Sequence, residues 1–447
     1  PADAAPPRGG SGEAMRDHRH LLALNARALA QQSAVRRALF SPGEVKTLRR
    51  FSIWEISKFI FDVPADTLRK RLAETPDLPQ GAVEGPDGRQ RWFTLAEIET
   101  LRRRLRLRGR RLTPERPPGP PPRVAVANFK GGVGKSVVAQ HFAHAAALDG
   151  WRVLVVDFDP QATLTHAMGL VEVEEETTVW GVMGRDLHRE AVRIMAEADE
   201  PEALPWPGGD ELPEEVRTLG ARPATSFIRQ TCWPTIDIVP SCANAAFVEF
   251  ASAQYRALHG LWTFFLCVDR WLSELPEDAY DLVLFDCPPA IGYQSLNAAF
   301  AADLLYIPTG PGYWEYDSTT SFLGQLGDAL GEIAEGFGAS AGRRAAKSFE
   351  AIRILMTRYE PGNALHRSML DAYRGLFGAE LCRAPIDLSR AVEQSGRFQM
   401  SVYEQDYREM TRETWRRSRE SFDAAWREAR GVILEAWRAR SLLAEAS

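Results

Sequence analysis

Val124-Ala-Val-Ala-Asn-Phe-Lys-Gly-Gly-Val-Gly-Lys-Ser136 runs from a short β-branched segment through a glycine loop to Lys-Ser, and the apolar run Val137 to Leu148 follows it. The pattern predicts strand, loop and helix in immediate succession. That context separates a phosphate-binding loop from an ordinary glycine turn, because a turn has no use for Lys135 and Ser136 at the start of a helix. Backbone N–H groups bared along Gly131, Gly132, Val133 and Gly134, joined by those of Lys135, Ser136 and Val137 at a helix N-terminus, form an anion nest. Lys135 then reaches the β- and γ-phosphates, and the Ser136 hydroxyl holds Mg²⁺. The loop by itself predicts a bound nucleoside triphosphate.

Working outward, phosphoryl transfer asks the protein for charge neutralisation and an oriented water more than for covalent chemistry. Carboxylates at strand ends meet that need. Val156-Asp-Phe-Asp-Pro-Gln161 follows the predicted strand Trp151–Asp157, and Leu282-Val-Leu-Phe-Asp-Cys-Pro-Pro289 ends another strand on Asp286. Further strands are read at 304–308 and 352–356, alternating with helical stretches. The expected fold class is α/β, a mostly parallel, doubly wound sheet of the P-loop NTPase kind, binding its ligand at the carboxyl ends of the strands.

The 447 residues are too many for one small domain, and 45% hydrophobic with 26% charged residues fits a soluble globular chain. Charge is unevenly spread: residues 1–123 hold 24 Lys/Arg against 14 Asp/Glu, a net +10, which leaves −16 for the remainder of a chain totalling −6. A basic nucleic-acid arm on an acidic body is the expected arrangement. Cys232, Cys242, Cys267, Cys287 and Cys382 show no CxxC pairing and read as reduced thiols of a cytoplasmic protein. Neither a secretory signal nor a membrane span is read, and the missing initiator Met suggests a processed or trimmed start.

Along the arm, residues 1–16 are expected to be a disordered tail and 17–47 a helical stretch with a dimerisation role or packing on its own domain. Ser41-Pro-Gly-Glu44 offers a capping box. Residues 48–113 carry the informative pattern. Ser52–Ile60 and Ala65–Ala73 read as two helices around a tight turn, the second bearing Arg69, Lys70 and Arg71, and a β-wing follows with Arg89 and Arg91. Thr94-Leu-Ala-Glu97 caps the next helix, and Arg102, Arg103, Arg104, Arg106, Arg108, Arg110 and Arg111 form a run suited to phosphates of any sequence. Residues 114–123 are read as a proline-rich spacer separating arm from body. Residues 124–447 are expected to form the nucleotide-binding domain, with an acidic exposed insertion at about 195–225 and a C-terminal helix whose Trp415, Phe422, Trp426, Ile433 and Trp437 suit core or dimer packing.

These motifs carry a resemblance. KGGVGK with a following Ser, and above all Lys130 ahead of the first glycine, resembles the deviant Walker A box of the ParA/MinD class of ATPases. Asp157-Phe-Asp-Pro-Gln161 is similar to that class's DxDPQ box, and the segment ending at Asp286 looks like its Walker B strand. The arm is similar to MerR-like winged helices. Taken with Phe227–Pro240 and Met356-Thr-Arg-Tyr-Glu-Pro-Gly-Asn363, the chain resembles, over roughly Leu48 to Tyr407, the RepA proteins of repABC-type plasmids.

The resemblance implies ATP and Mg²⁺ as cofactors, with Lys130, Lys135 and Asp159 as the catalytic set. Lys130 would reach the partner's phosphates in a nucleotide-sandwich homodimer, and Asp159 would organise the attacking water. Ser136 and Asp286 would hold the metal, with Asp157 a metal-side or structural acid, and Thr357 and Pro385 would frame the adenine. Val137 stands where the family usually has a second Thr, and the family's arginine before a late "TN" is absent, so Arg358, Arg367 and Arg390 are the candidate substitutes for contacting nonspecific DNA. Expected partners are DNA and a ParB/RepB-like protein, with no membrane and a cytoplasmic, nucleoid-associated location. The implied function is ATP-dependent DNA partition with autorepression through the arm. A positioning ATPase for a protein cargo and a nucleotide-regulated transcription factor are the alternatives. An iron protein of the nitrogenase reductase type lacks its obligatory cysteine ligands here.

Overall fold

The computed structural model describes residues 21–28, 31, 46–84, 90–107, 110–197, 214–243, 249, 252–253, 256, 262–393 and 400–445. Residues 21–28 are helical and belong to a first unit ending at Val45, and Lys46–Ser447 form the second unit. The Ser41 capping box and Arg89 of the wing lie outside the described residues.

The second unit opens with strand β1 (Phe51–Ser52), helix α1 (Ile53–Glu55) running on as a π-helical turn over Ile56–Ile60, and helix α2 (Ala65–Glu74). Ser52 and Glu55 form a capping box not read from the sequence, and the one expected at Thr94 and Glu97 is present as well. Strands β2 (Ala82–Glu84) and β3 (Gln90–Phe93) join β1 in an antiparallel sheet of order β1-β3-β2, and helix α3 (Leu95–Arg104) follows. Helices over 53–60 and 65–74 and a strand at 90–93 occupy the segments read as helix, helix and wing, and 85–89, the expected turn of the wing, lie outside the described residues. Leu68 and Leu72 anchor α2, leaving Arg69, Lys70 and Arg71 on its exposed side.

The body is a seven-stranded sheet built on β4 (Arg123–Val126), helix α4 (Lys135–Leu148), β5 (Val153–Asp157), α5 (Val179–Glu197), the short β6 (Arg229–Gln230), β7 (Ile236–Val239), α6 (Cys267–Leu272) and β8 (Leu282–Asp286). Helix α7 (Tyr293–Ala301), β9 (Leu304–Thr309), α8 (Tyr313–Ala341), β10 (Ala351–Met356), α9 (Ala364–Phe377) and α10 (Arg412–Glu445) complete it. The strand order is β10-β9-β4-β8-β5-β7-β6, parallel except for the edge pair β6–β7. Near-continuous apolar strands such as Leu282–Phe285 are what a parallel sheet covered on both faces requires. Two apolar clusters supply the cover, one on each side.

Three expectations change. The proline-rich segment does not hold arm and body apart: Phe51, Ile98 and Leu101 share one apolar core with Val124, Phe142 and Trp151. Arg116 pairs with Asp281, and Glu115 with Arg438, so the segment lies along the body instead of spanning solvent. Second, Arg102 is buried. Its guanidinium donates to the Leu148 and Leu112 carbonyls and pairs with Glu99, fastening α3 onto the C-terminal end of α4, so it is not a phosphate contact. Third, the far end of the acidic insertion is folded. Residues Glu214–Gly220 are helical, and Leu219 and Phe227 are buried in the core; 198–213 lie outside the described residues. Helix α10 buries Trp415, Phe422, Trp426, Ile433 and Trp437, which settles that stripe as core. No helix among the described residues is long and apolar enough to cross a membrane.

A polar seam ties these layers together. Lys46 pairs with Glu404 at 2.8 Å, and Glu404 accepts from the Trp233 indole and the Ser401 amide. His144 of α4 stacks on Trp233 and shares a hydrogen bond with the Ser401 hydroxyl, while His141 stacks on Phe422 and its Nε2 accepts from the Val402 amide. Burial holds His141 down at about 3 and His144 well below the usual value, the latter helped by the Lys46 charge. In the unfolded chain both titrate near 6.5, so below that pH the unfolded chain binds protons that the native one refuses. Stability is therefore expected to fall as pH drops from about 6.5, by about 1.4 kcal/mol per pH unit for each histidine. Denaturant melts at a series of pH values check this. His144→Gln should make the slope shallower, and an unchanged slope would assign the acid sensitivity to other groups.

Candidate nucleotide site

Strand β4 ends in Ala127-Asn128, and the chain turns through the glycine loop before α4 begins at Lys135. Gly132 and Gly134 have φ of +76° and +89°, left-handed values that side chains disfavour. From Gly131 to Val137 no backbone N–H makes a hydrogen bond of good geometry to the described residues, and a Cβ built on Gly131 or Gly132 would meet nothing within 4 Å. The loop is an open cradle of donors at a helix N-terminus.

Its shape is held from outside. The Asn128 amide donates to the Pro308 carbonyl at 2.8 Å and the Thr319 hydroxyl at 3.1 Å, and its oxygen accepts from the Lys130 N–H. Thr357 donates its hydroxyl to the Val133 carbonyl at 2.8 Å. Lys135 bends back so that Nζ donates to the Lys130 carbonyl at 3.1 Å. Burial lowers the Lys135 pKa, against the opposing pull of Asp286 and Asp159. The Lys130 side chain is half-buried and makes no hydrogen bond or ion pair with the described residues.

The three acids differ. Both Asp157 oxygens are spent inside the protein: Oδ1 accepts from the Asp159 N–H, and Oδ2 accepts from the Thr165 N–H and hydroxyl. That favours the structural role over the metal-side one. Burial nonetheless raises Asp157 to about 7. Asp159 uses Oδ1 to accept the Gln161 N–H at 2.9 Å, which fixes the turn that carries it. Asp286 is fully buried at the end of β8, and neither carboxylate oxygen has a partner of good hydrogen-bond geometry; Ser136 is the hydroxyl that acts on it. Burial raises its pKa well above the ordinary carboxylate value, and Asp157 and Asp159 add to the shift.

An orphaned buried carboxylate beside a serine hydroxyl suits a divalent cation. Mg²⁺ takes one or two protein groups and fills its octahedron with waters and phosphate oxygens. Ser136 and Asp286 fit that role.

The remaining predicted residues fall apart into separate places. Thr357 is buried as a brace of the loop, and Pro385 is half-buried in the adjoining segment, where the Ile386 N–H bonds the Met356 carbonyl. Arg358 does not sit with Arg367: its guanidinium approaches the Gly132 carbonyl, whereas Arg367 is exposed on α9 and donates to the Pro361 carbonyl. Arg390 opens the short helix Arg390–Glu393. Far from the loop, Arg69 pairs with Asp66, and Lys70 and Arg71 with Glu74, all exposed pairs that are weak in water. Arg91 donates to the Gln80 side chain. Sequence reading missed Asn128 and Thr319, whose roles depend on β9 and α8 lying beside β4; only the position of Asn128 two residues before Lys130 hinted at one.

Known proteins resemble this chain in sequence and in fold. Residues 122–330 match the family model described as an AAA domain. A putative replication protein A of Sinorhizobium fredii is 31% identical over 410 residues, covering 89% of each chain, and the protein SopA of Escherichia coli is 28% identical over 373 residues, covering 82% of this chain and 83% of that one. Among solved structures, one described as a partition protein superposes with a TM-score of 0.59 at 17% identity, over 94% of this chain and 99% of that one, a likeness of fold.

Removing the Asn128 amide strands a buried carbonyl and the Lys130 N–H, so Asn128→Ala is expected to cost about 1–3 kcal/mol of unfolding free energy. Chemical denaturation measures it; a loss below about 0.5 kcal/mol would show that the loop does not depend on this brace.

Proposed function

Because the chain belongs to the ParA/MinD class of P-loop ATPases, the family of plasmid and chromosome partition proteins, we propose that it hydrolyses Mg²⁺-ATP to time its attachment to DNA. The observation that carries this reading is the open donor cradle between Lys135 and the orphaned Asp286. The bare N–H groups and Lys135 receive the β- and γ-phosphates. Ser136 and Asp286 hold the cation, which supplies charge neutralisation on the phosphate oxygens when bound. Asp159, fixed by the Gln161 N–H, orients the attacking water from its other oxygen.

Lys130 has a different task. Its amine is uncommitted at the rim of the loop, while Lys135 supplies the cation inside it. We assign it to the phosphates of a second copy in an ATP-bound sandwich homodimer. In this reading the dimer binds DNA, and a ParB/RepB-like partner stimulates hydrolysis and release.

The arm adds a second DNA contact. Helix α2 offers Arg69, Lys70 and Arg71 on one exposed side, next to a two-stranded wing. Their pairs with Asp66 and Glu74 are surface contacts that a phosphate or a guanine edge can displace at little cost. We read this as a winged helix-turn-helix that binds an operator and represses transcription. Its packing on the body gives the nucleotide state a route to the operator.

Gel shifts with and without ATP, on operator-like and random DNA, test the reading. Lys135→Ala is expected to abolish ATP binding and ATP-dependent retention on random DNA. Normal retention in that variant would sink the mechanism, and wild-type binding indifferent to ATP would favour a plain transcription factor.

A further inference from the structure

We propose that Arg358 is a nucleotide-binding residue, a second cation of the phosphate loop whose guanidinium exchanges the Gly132 carbonyl for the phosphates of a bound nucleotide. The inference rests on the nucleotide reading above and adds a residue that the loop motif does not contain.

The backbone supplies the first observation. Arg358 has φ of +54°, in the left-handed region that residues bearing a Cβ avoid, and such conformations persist where the surroundings over-determine them. Both flanks are anchored. The Thr357 N–H bonds the Thr309 carbonyl at 2.8 Å, and its hydroxyl bonds the Val133 carbonyl. On the other side the Tyr359 N–H bonds the Ile386 carbonyl at 3.0 Å, and its carbonyl accepts from Leu388. The chain is clamped at 357 and 359, and the residue between them takes the unfavourable turn.

The side chain supplies the second. Nη1 lies 3.4 Å from the Gly132 carbonyl, a long contact that occupies one of five guanidinium donors. The residue is exposed, and no carboxylate among the described residues pairs with it. Many other surface arginines here are ion-paired, such as Arg374 with Asp371 and Arg408 with Asp406. Gly131 and Gly132 present no side chain, and a Cβ built on either would meet nothing within 4 Å, so the loop beside the guanidinium is open.

Charge supplies the third. Asp159 and Asp286 act on Lys135 and offset its charge inside the site. A polyphosphate entering the cradle meets those acids as well, and a guanidinium at the rim compensates with the fork geometry that suits phosphate. This moves Arg358 from the DNA surface suggested by sequence to the nucleotide.

Equilibrium titration of the full chain with a fluorescent ATP analogue and with ADP decides the matter, alongside DNA retention at saturating ATP. Arg358→Ala is expected to bind nucleotide about 10- to 100-fold more weakly, as the loss of a charge-assisted contact implies, and to retain DNA normally once saturated. Arg358→Lys should fall between. Arg358→Gly relieves the left-handed residue, so it should melt no lower than wild type while losing affinity as Ala does, which separates loss of contact from loss of fold. Unchanged affinity in Arg358→Ala overturns the proposal, and if DNA retention is lost as well, the residue belongs to the DNA surface. Lys135→Ala is the control: if wild type itself binds no nucleotide, the nucleotide reading fails and not merely the role of Arg358.

Discussion

A loop that bares its N–H groups to a ligand cannot use them to hold its own shape. Backbone donors elsewhere in a fold are satisfied by neighbouring backbone, and that pairing fixes the conformation. Between Gly131 and Val137 the donors are withheld, so side chains from other elements do the fixing: Asn128 against β9 and α8, Thr357 against the Val133 carbonyl, and Lys135 against the Lys130 carbonyl. The rest of the body follows from this constraint. A parallel sheet brings the ends of β4, β5, β8, β9 and β10 to one edge, where these braces and the acids Asp157, Asp159 and Asp286 meet.

The same helix that starts at the loop carries the connection to the rest of the chain. Helix α4 begins with Lys135 and Ser136, places His141 and His144 in the buried polar seam with Glu404 and Lys46, and ends where Arg102 of the arm binds the Leu148 carbonyl. An event at the phosphate end therefore acts on an element to which the arm is fastened. Aromatic packing adds to the joint: Trp54 and Trp92 of the arm meet Tyr407, with Arg412 and Arg408 over their rings.

Much of this was legible in the sequence, where local pattern and chemistry coincide. The loop, its Lys-Ser, the acids at the ends of β5 and β8, and the helices and strands of the arm are each set by residues close together in the chain. What was not legible depends on neighbours distant in the chain. A proline-rich stretch reads as a spacer until Arg116 finds Asp281, and an arginine run reads as a phosphate comb until Arg102 is found beneath α4. The two candidate roles of Asp157 separate only through Thr165, which occupies one of its oxygens, and the approach of Arg358 to the Gly132 carbonyl depends on two loops far apart in the chain.

In the function proposed above, the nucleotide lies between two subunits, with Lys130 supplying the charge that completes the neighbouring site. Binding and turnover of Mg²⁺-ATP by the full-length Lys130→Ala chain test it most directly. The account predicts ATP binding close to that of wild type, since the loop's own cradle is intact, with hydrolysis and ATP-dependent dimer formation lost. Hydrolysis at the wild-type rate in that variant would contradict the sandwich and place the whole reaction within one subunit.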